Sequence, residues 1–273
     1  GVIGDGLVIG RGHIAPAFYA CRYTLAGLPF ICVASVHLAL PSLIREGWGF
    51  ANTLRHSLGE GIGFAVGRAM AKNREHTVYC CVGDGELHEG VSCEAIRLVY
   101  EFDIKNFVLI IDENDMGIDP LVRPMNRKYI EAYFDQAVVV SGYDRAAIAD
   151  ALATASASGE RVAIICRTEK GAHSYKAPDS QSVATSCGQM AELLKEYVSR
   201  GDCYALTADL AARYSLKIGD YYNTGLAEAS LFTLATGLPK DATKLILTDD
   251  KYYLNSIDVL HSAFLASRNI HVV

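Results

Sequence analysis

An aspartate stands between two glycines at Gly83-Asp84-Gly85, directly after the apolar run Cys80 to Val82. Thirty positions later Asn114 follows a second apolar run, Phe107 to Asp112. A carboxylate and an amide oxygen are hard donors. Two of them on separate loops, with coordination positions left over, suit Mg2+ or Ca2+ carrying a diphosphate. The flanking glycines let the backbone turn sharply and leave room for a bulky group. By itself Gly-Asp-Gly is a common turn sequence, so the reading rests on its pairing with Asn114. A dinucleotide fingerprint fits less well, because His88 stands where its third glycine belongs.

Such a pair needs two strands to carry it. Strand-like runs occur at 76–82, 106–112, 136–141, 161–167, 203–208, 243–249 and 269–273, with helically periodic stretches such as 92–102, 144–157, 187–200 and 255–267 between them. Continuous apolar strands separated by helices predict an α/β fold of parallel sheets covered on both faces. Ligands in such sheets sit at the carboxyl ends of the strands. One helix fills the interval from Asp84 to Asn114, which fits a single strand-helix-strand crossover. If those strands are neighbours, their tips present the two side chains together.

Tyr175 to Gly188 is polar, rich in small residues and without either period. It predicts two domains, 1–180 and 188–273. The second set of strands stops on one at Val273, so its sheet is expected to be incomplete, with the remainder on another polypeptide or outside this sequence. The composition narrows the function classes. The formal net charge is −6 and basic residues are scattered, which leaves no footprint for nucleic acid or an anionic membrane. Eight cysteines without a CxxC pair read as reduced core residues of a cytoplasmic protein. The sequence opens on Gly1 with no cationic region, so no signal peptide is expected within it. Leu25 to Ile44 is twenty residues without a formal charge, but two prolines, a glycine and His37 interrupt it. A buried helix-loop-helix is expected there, not a membrane span.

The segment from Gly83 to Asp119 resembles the thiamine-diphosphate signature of the transketolase family, which opens on Gly-Asp-Gly and closes on an asparagine about thirty residues later. Four further segments resemble that family in its own order: "GRGHIAPAFYA" its Gly-His segment, "SLGEGIGFAVGRAMA" its glycine-rich helix, "RTEKGAHSYKAP" its Lys-Thr-x-x-Gly loop, and "LTADLA" with "YYNTGLAEASLFTLATGL" the start of its pyrimidine-binding domain.

The resemblance implies a thiamine-diphosphate-binding fold, with 1–180 as the diphosphate and metal domain and 188–273 as part of the pyrimidine domain. It makes Asp84, Asn114 and the backbone carbonyl of Met116 the ligands of the divalent ion. Gly83 and Gly85 would lie against the diphosphate, Leu58 would hold the bent cofactor and His13 would sit near the reacting carbon. Glu89 would join an acidic network between paired sites, Asp209 would lie near the thiazolium, and Tyr252 or Tyr253 would stack on the pyrimidine. Glu228 would bind the aminopyrimidine ring. Physically, a glutamate suits that task when partly desolvated, because its pKa then rises and its proton can be shared. Taken alone, Glu228 reads as a first-turn glutamate favoured by the helix dipole.

Ser57 and Glu60 have capping-box spacing, and the glycines at 59, 61, 63 and 67 fit close helix packing and cofactor approach equally. Several family features are missing. No Gly-His-Pro lies between Leu40 and Leu58, Arg213 replaces an expected serine, and His173 is out of register for a substrate histidine.

The resemblance therefore implies transfer of a two-carbon ketol unit from a ketose to an aldehyde, by a homodimer or by one subunit of a split enzyme with a complementary chain. The alternatives are a 2-oxoacid decarboxylase component, a deoxyxylulose-phosphate-type synthase, or a non-catalytic partner subunit.

Overall fold

The structure is a computed structural model and describes residues 6–10, 58–71, 76–170, 184–201, 203–214, 221–248, 252, 254–266 and 269–273. The chain forms two compact units: Gly1–Asn114 with Met125–Glu169, and Asp115–Pro124 with Lys170–Val273.

The first unit contains β1 (Leu7–Ile9), α1 (Glu60–Ala71), β2 (Val78–Gly83), a 3-10 turn (Gly85–His88), α2 (Gly90–Glu101) and β3 (Phe107–Glu113). It continues with α3 (Arg127–Glu131), β4 (Gln136–Ser141), α4 (Arg145–Ser158) and β5 (Val162–Arg167). The strands form one parallel sheet in the order β1-β2-β3-β5-β4. Their side chains alternate between two cores. Val78, Cys80 and Val82 with Phe107, Leu109 and Ile111 pack on Ile62, Val66, Ile96 and Val99 of α1 and α2. The intervening Tyr79, Val108 and Ile164 pack on Ile148, Ala151, Leu152 and Ala155 of α4. Because both faces are covered, these strands read as unbroken apolar runs. Each fully buried large side chain contributes about 1.5–3 kcal/mol.

Helix α4 shows how local signals set boundaries. The Asp144 carboxylate accepts the N–H groups of Ala146 and Ala147 at 3.0 Å each, capping the first turn. Gly159, at φ 66°, ends the helix in the left-handed region.

The second unit has α5 (Ala184–Ser199), β6 (Cys203–Thr207), β7 (Tyr222–Asn223), α6 (Glu228–Gly237), β8 (Thr243–Leu247), α7 (Ile257–Ala266) and β9 (Ile270–Val272). Its sheet is also parallel, in the order β7-β6-β8-β9. Leu206 and Ile246 pack on Leu231, Phe232 and Ala235 of α6 and Ala263 of α7. Leu245 and Leu247 face Leu194 of α5.

The strand-helix alternation expected from the sequence is the observed α/β architecture. Two strands were not anticipated: β1 has three residues and β7 two, too short to show a period. The stretch 115–124, read as part of the first domain, packs with the second unit. Leu25 to Ile44 and the Tyr175 to Gly188 boundary lie wholly or largely outside the described residues. Among the described residues, no helix is long and apolar enough to cross a membrane, and Cys80, Cys81, Cys93, Cys166 and Cys203 are free thiols.

Candidate functional site

Strands β2 and β3 are neighbours, with Gly83 in register with Asp112. The next step of the ladder runs past the strand ends, where the Asp84 N–H donates to the Asp112 carbonyl at 3.1 Å. Asp84 is only 1% exposed. Its Oδ1 accepts the Gly85 N–H at 2.8 Å and its Oδ2 the Asn114 N–H at 2.9 Å. Hydrogen bonds to a carboxylate are short and strong, so two of them fix the plane of this one. The Asn114 side-chain NH2 donates to Asp112 Oδ2 at 3.0 Å, which turns the amide oxygen away from Asp112. The other Asp112 oxygen accepts the Thr168 hydroxyl from the end of β5.

A second buried carboxylate supports the same tip. Glu86, in the 3-10 turn, accepts the Gly83 N–H at 2.9 Å and the Gly59 N–H at 3.2 Å. It thereby ties the β2 tip to the turn that holds Leu58 and begins α1. Gly59 has φ +86°, and a Cβ there would overlap the Glu89 side chain. Gly61 meets the Cα of Gly10 so closely that no side chain fits, so this glycine of the helix serves close packing. Glu89 is half-buried and bridges the 3-10 turn to α2 through its backbone, with no side-chain cap. Gly85 is buried within the turn. Glu86, Asp112 and Thr168 were not assigned roles from the sequence. The signal for Glu86 was present, as an acid within the motif beside two glycines, but its partner Gly59 is 27 positions away.

Asp209, Met116, Glu228 and Tyr252 belong to the second unit. Asp209 is buried, with φ 58°. Its two oxygens accept the N–H groups of Ile118 at 2.6 Å and Asp119 at 2.7 Å. Asp119 in turn accepts the Ala211 N–H at 2.7 Å, and Lys170 donates to the Gly117 carbonyl. These bonds draw 115–124 into the second unit, and Met116 within it pairs with Pro120 as an antiparallel bridge. Burial pushes the Asp209 carboxyl above its ordinary pKa, against the pull of the two N–H bonds.

Glu228 opens α6 and is half-buried. Burial raises its carboxyl above the usual range, opposed by its own backbone N–H and reinforced by the charge of Asp209. Tyr252 is 37% exposed. The structure thus gathers Gly83, Asp84, Gly85 and Asn114 at one sheet edge, with Leu58 and Glu89 on the elements packed beside it. Within the second unit, Asp209 and Glu228 are near enough for their charges to interact. His13, Ser57, His173 and Tyr253 lie outside the described residues, as does the Arg213 side chain.

The family model described as the transketolase thiamine diphosphate binding domain matches residues 47–215. This chain belongs to the transketolase family. The transketolase of Pongo abelii is 31% identical over 179 residues, covering 61% of this chain and 28% of the relative. That of Sinorhizobium medicae is 32% identical over 188 residues, covering 61% and 27%. A transketolase-like protein 2 from Bos taurus is 28% identical over 180 residues, covering 61% and 29%.

The solved transketolase of Campylobacter jejuni shares the fold over 99% of this chain and 60% of its own, with TM-score 0.54 and 18% identity. For that of Leishmania mexicana the coverage is the same, with TM-score 0.53 and 17% identity. The transketolase-family chain described here spans under a third of the length of the curated relatives it matches. The matched region carries the β2 and β3 tips, the 3-10 turn and Asp209.

Proposed function

We propose that the chain binds thiamine diphosphate through Mg2+ (or Ca2+), and that it acts as a transketolase-like transferase passing a two-carbon ketol unit from a ketose donor to an aldehyde acceptor. The observation that carries this is the Asp84 to Asn114 hydrogen bond across neighbouring strand tips. A buried carboxylate beside an oriented amide is an oxygen donor set, which suits a hard cation. Among the described residues, no group of three or more His, Cys, Asp and Glu side chains gathers to hold a metal ion.

In this reading Asp84, Asn114 and the Met116 carbonyl hold the cation. Gly83 and Gly85 admit the diphosphate, while Leu58, Asp209 and Tyr252 contact the rest of the cofactor and His13 the reacting centre. Glu89 joins an acidic network to a second site. The chemistry supplied by thiamine diphosphate when bound is an acidic carbon that becomes a nucleophile towards carbonyl groups. Glu228 would hold a proton at its carboxyl and share it with a ring nitrogen, a task favoured by the burial that raises its pKa above the ordinary carboxylate range. The protein works in the cytoplasm, as a homodimer or with a complementary subunit.

The test is a donor-consumption assay with purified chain, Mg2+ and thiamine diphosphate, with and without a candidate partner chain. Ketose cleavage is expected, and activity only with the partner identifies a split enzyme. Decarboxylation of pyruvate without ketose cleavage would replace this reading with a 2-oxoacid decarboxylase component. Cofactor binding without either reaction would make the chain a non-catalytic subunit.

A further inference from the structure

Asp112 is the residue that both candidate ligands share. Its carbonyl accepts the Asp84 N–H at 3.1 Å, so its backbone holds one. Its carboxylate accepts the Asn114 NH2 group at 3.0 Å, so its side chain holds the other. An amide has one donor end and one acceptor end. Anchoring the NH2 on a carboxylate decides which end of Asn114 faces away, and a carboxylate cannot anchor the oxygen end by mistake. The Thr168 hydroxyl fixes the carboxylate in turn, from a strand that is not next in sequence: β5 lies beside β3 with Glu113 in register with Arg167, one residue before Thr168. The chain of contacts runs from Thr168 through Asp112 to Asn114, 56 and then 2 positions apart.

We propose that Asp112, held by Thr168, is a positioning residue that sets the amide orientation of Asn114 and thereby the affinity of the site for its divalent cation. This rests on the functional reading above, which makes Asn114 a cation ligand. A ligand whose orientation is fixed beforehand loses no freedom when the ion arrives, and removing such an outer partner typically weakens metal affinity about 10–100-fold. Asp112→Asn is nearly the same shape, but it offers Asn114 and Thr168 a single acceptor oxygen where there were two. Thr168→Val keeps the shape of threonine and deletes its donor, whereas Thr168→Ser keeps the hydroxyl.

The experiment follows thiamine diphosphate binding to the whole chain by calorimetry, at fixed cofactor and rising Mg2+, and reads the Mg2+ concentration at half-saturation. Asp112→Asn is expected to raise it by about tenfold or more, Thr168→Val by a smaller factor, and Thr168→Ser to leave it unchanged. The melting temperature without ligand is measured for each variant, and the exposed Glu101→Gln serves as control. A folded Asp112→Asn or Thr168→Val chain that follows the wild-type Mg2+ curve overturns the inference alone, and so does a Thr168→Ser chain as impaired as Thr168→Val. Wild-type protein that takes up no cofactor at any Mg2+ concentration overturns the functional reading, and this inference with it.

Discussion

The Oδ2 atom of Asp84 accepts the backbone N–H of Asn114 at 2.9 Å, although thirty positions separate the two residues. The bond exists because β2 and β3 are adjacent and parallel, with one helix returning the chain between them. It joins the β2 and β3 tips, placing the Asp84 carboxylate against the backbone of Asn114.

Asp84→Ala should damage both folding and binding. It leaves the N–H groups of Gly85 and Asn114 without their acceptor, at a cost of about 1–3 kcal/mol for each buried unsatisfied group. Chemical denaturation should show that loss. Asp84→Asn retains one acceptor oxygen, so it should unfold at higher denaturant than Asp84→Ala while still losing Mg2+-dependent cofactor binding. An Asp84→Asn chain that binds the cofactor with wild-type Mg2+ dependence would remove Asp84 from the ligand set.

Glu228→Gln should separate activity from stability. A group that transfers protons contributes about a hundredfold or more to turnover, and an amide cannot share the proton of a carboxylic acid. Stability should move the other way. The folded-state pKa of Glu228 is raised by burial, so on raising the pH the unfolded chain ionises this group first, near the ordinary value of about 4.3. The folded state then holds more protons, and stability falls as pH climbs from there through the folded pKa. The variant lacks this loss. Melting curves should show it gaining on the wild type at pH 7 and showing no gain below about pH 4; a gain equal at both pH values would refute the assigned burial effect.

Asp209 is expected to act through structure at least as much as through any ligand. Its carboxylate holds Ile118 and Asp119, and a side chain at Gly117 would overlap it. Gly117→Ala should destabilise the fold by about 1–3 kcal/mol through overpacking, read by denaturant titration. An unchanged midpoint would mean the loop is not clamped there.

Most of the sheet was legible in the sequence because a strand covered on both faces has to be apolar throughout, as Val78 to Val82 and Phe107 to Ile111 are. The helix-length interval between β2 and β3 fitted a single crossover, and their pairing is what the structure adds. What stayed hidden depends on partners remote in sequence. Asp209 meets Ile118 and Asp119 across 91 and 90 positions, so nothing near Asp115 announces that this loop packs with the second unit. Glu86 looks like one more acid in "GDGELHEG" until Gly59 is placed against it. Asp112 reads as the polar end of a strand, and only the adjacency of β3 and β5 brings Thr168 to its carboxylate.

Arg127 should matter far more than the exposed arginines. It grips Glu113 through two bonds, at 2.9 and 2.5 Å, and the Glu113 side chain is 6% exposed. The Arg127 side chain itself is 35% exposed, so its removal costs less than the ~3–5 kcal/mol of a fully buried pair. Arg127→Ala should cost about 1–3 kcal/mol, the penalty for a buried acceptor left partly unsatisfied, since Arg167 also reaches Glu113 at 3.4 Å. Arg97→Ala breaks an exposed pair with Glu101 and should cost under about 1 kcal/mol. Equal effects in urea titrations would show that the Glu113 pair adds nothing beyond a surface contact.

The most direct test of the account is calorimetric titration of thiamine diphosphate into the wild-type chain, once with Mg2+ and once with the ion removed by a chelator. The strand-tip site predicts saturable binding with Mg2+ that weakens at least about tenfold without it, as expected when a cation carries the diphosphate. Equal affinity in the two titrations would contradict it.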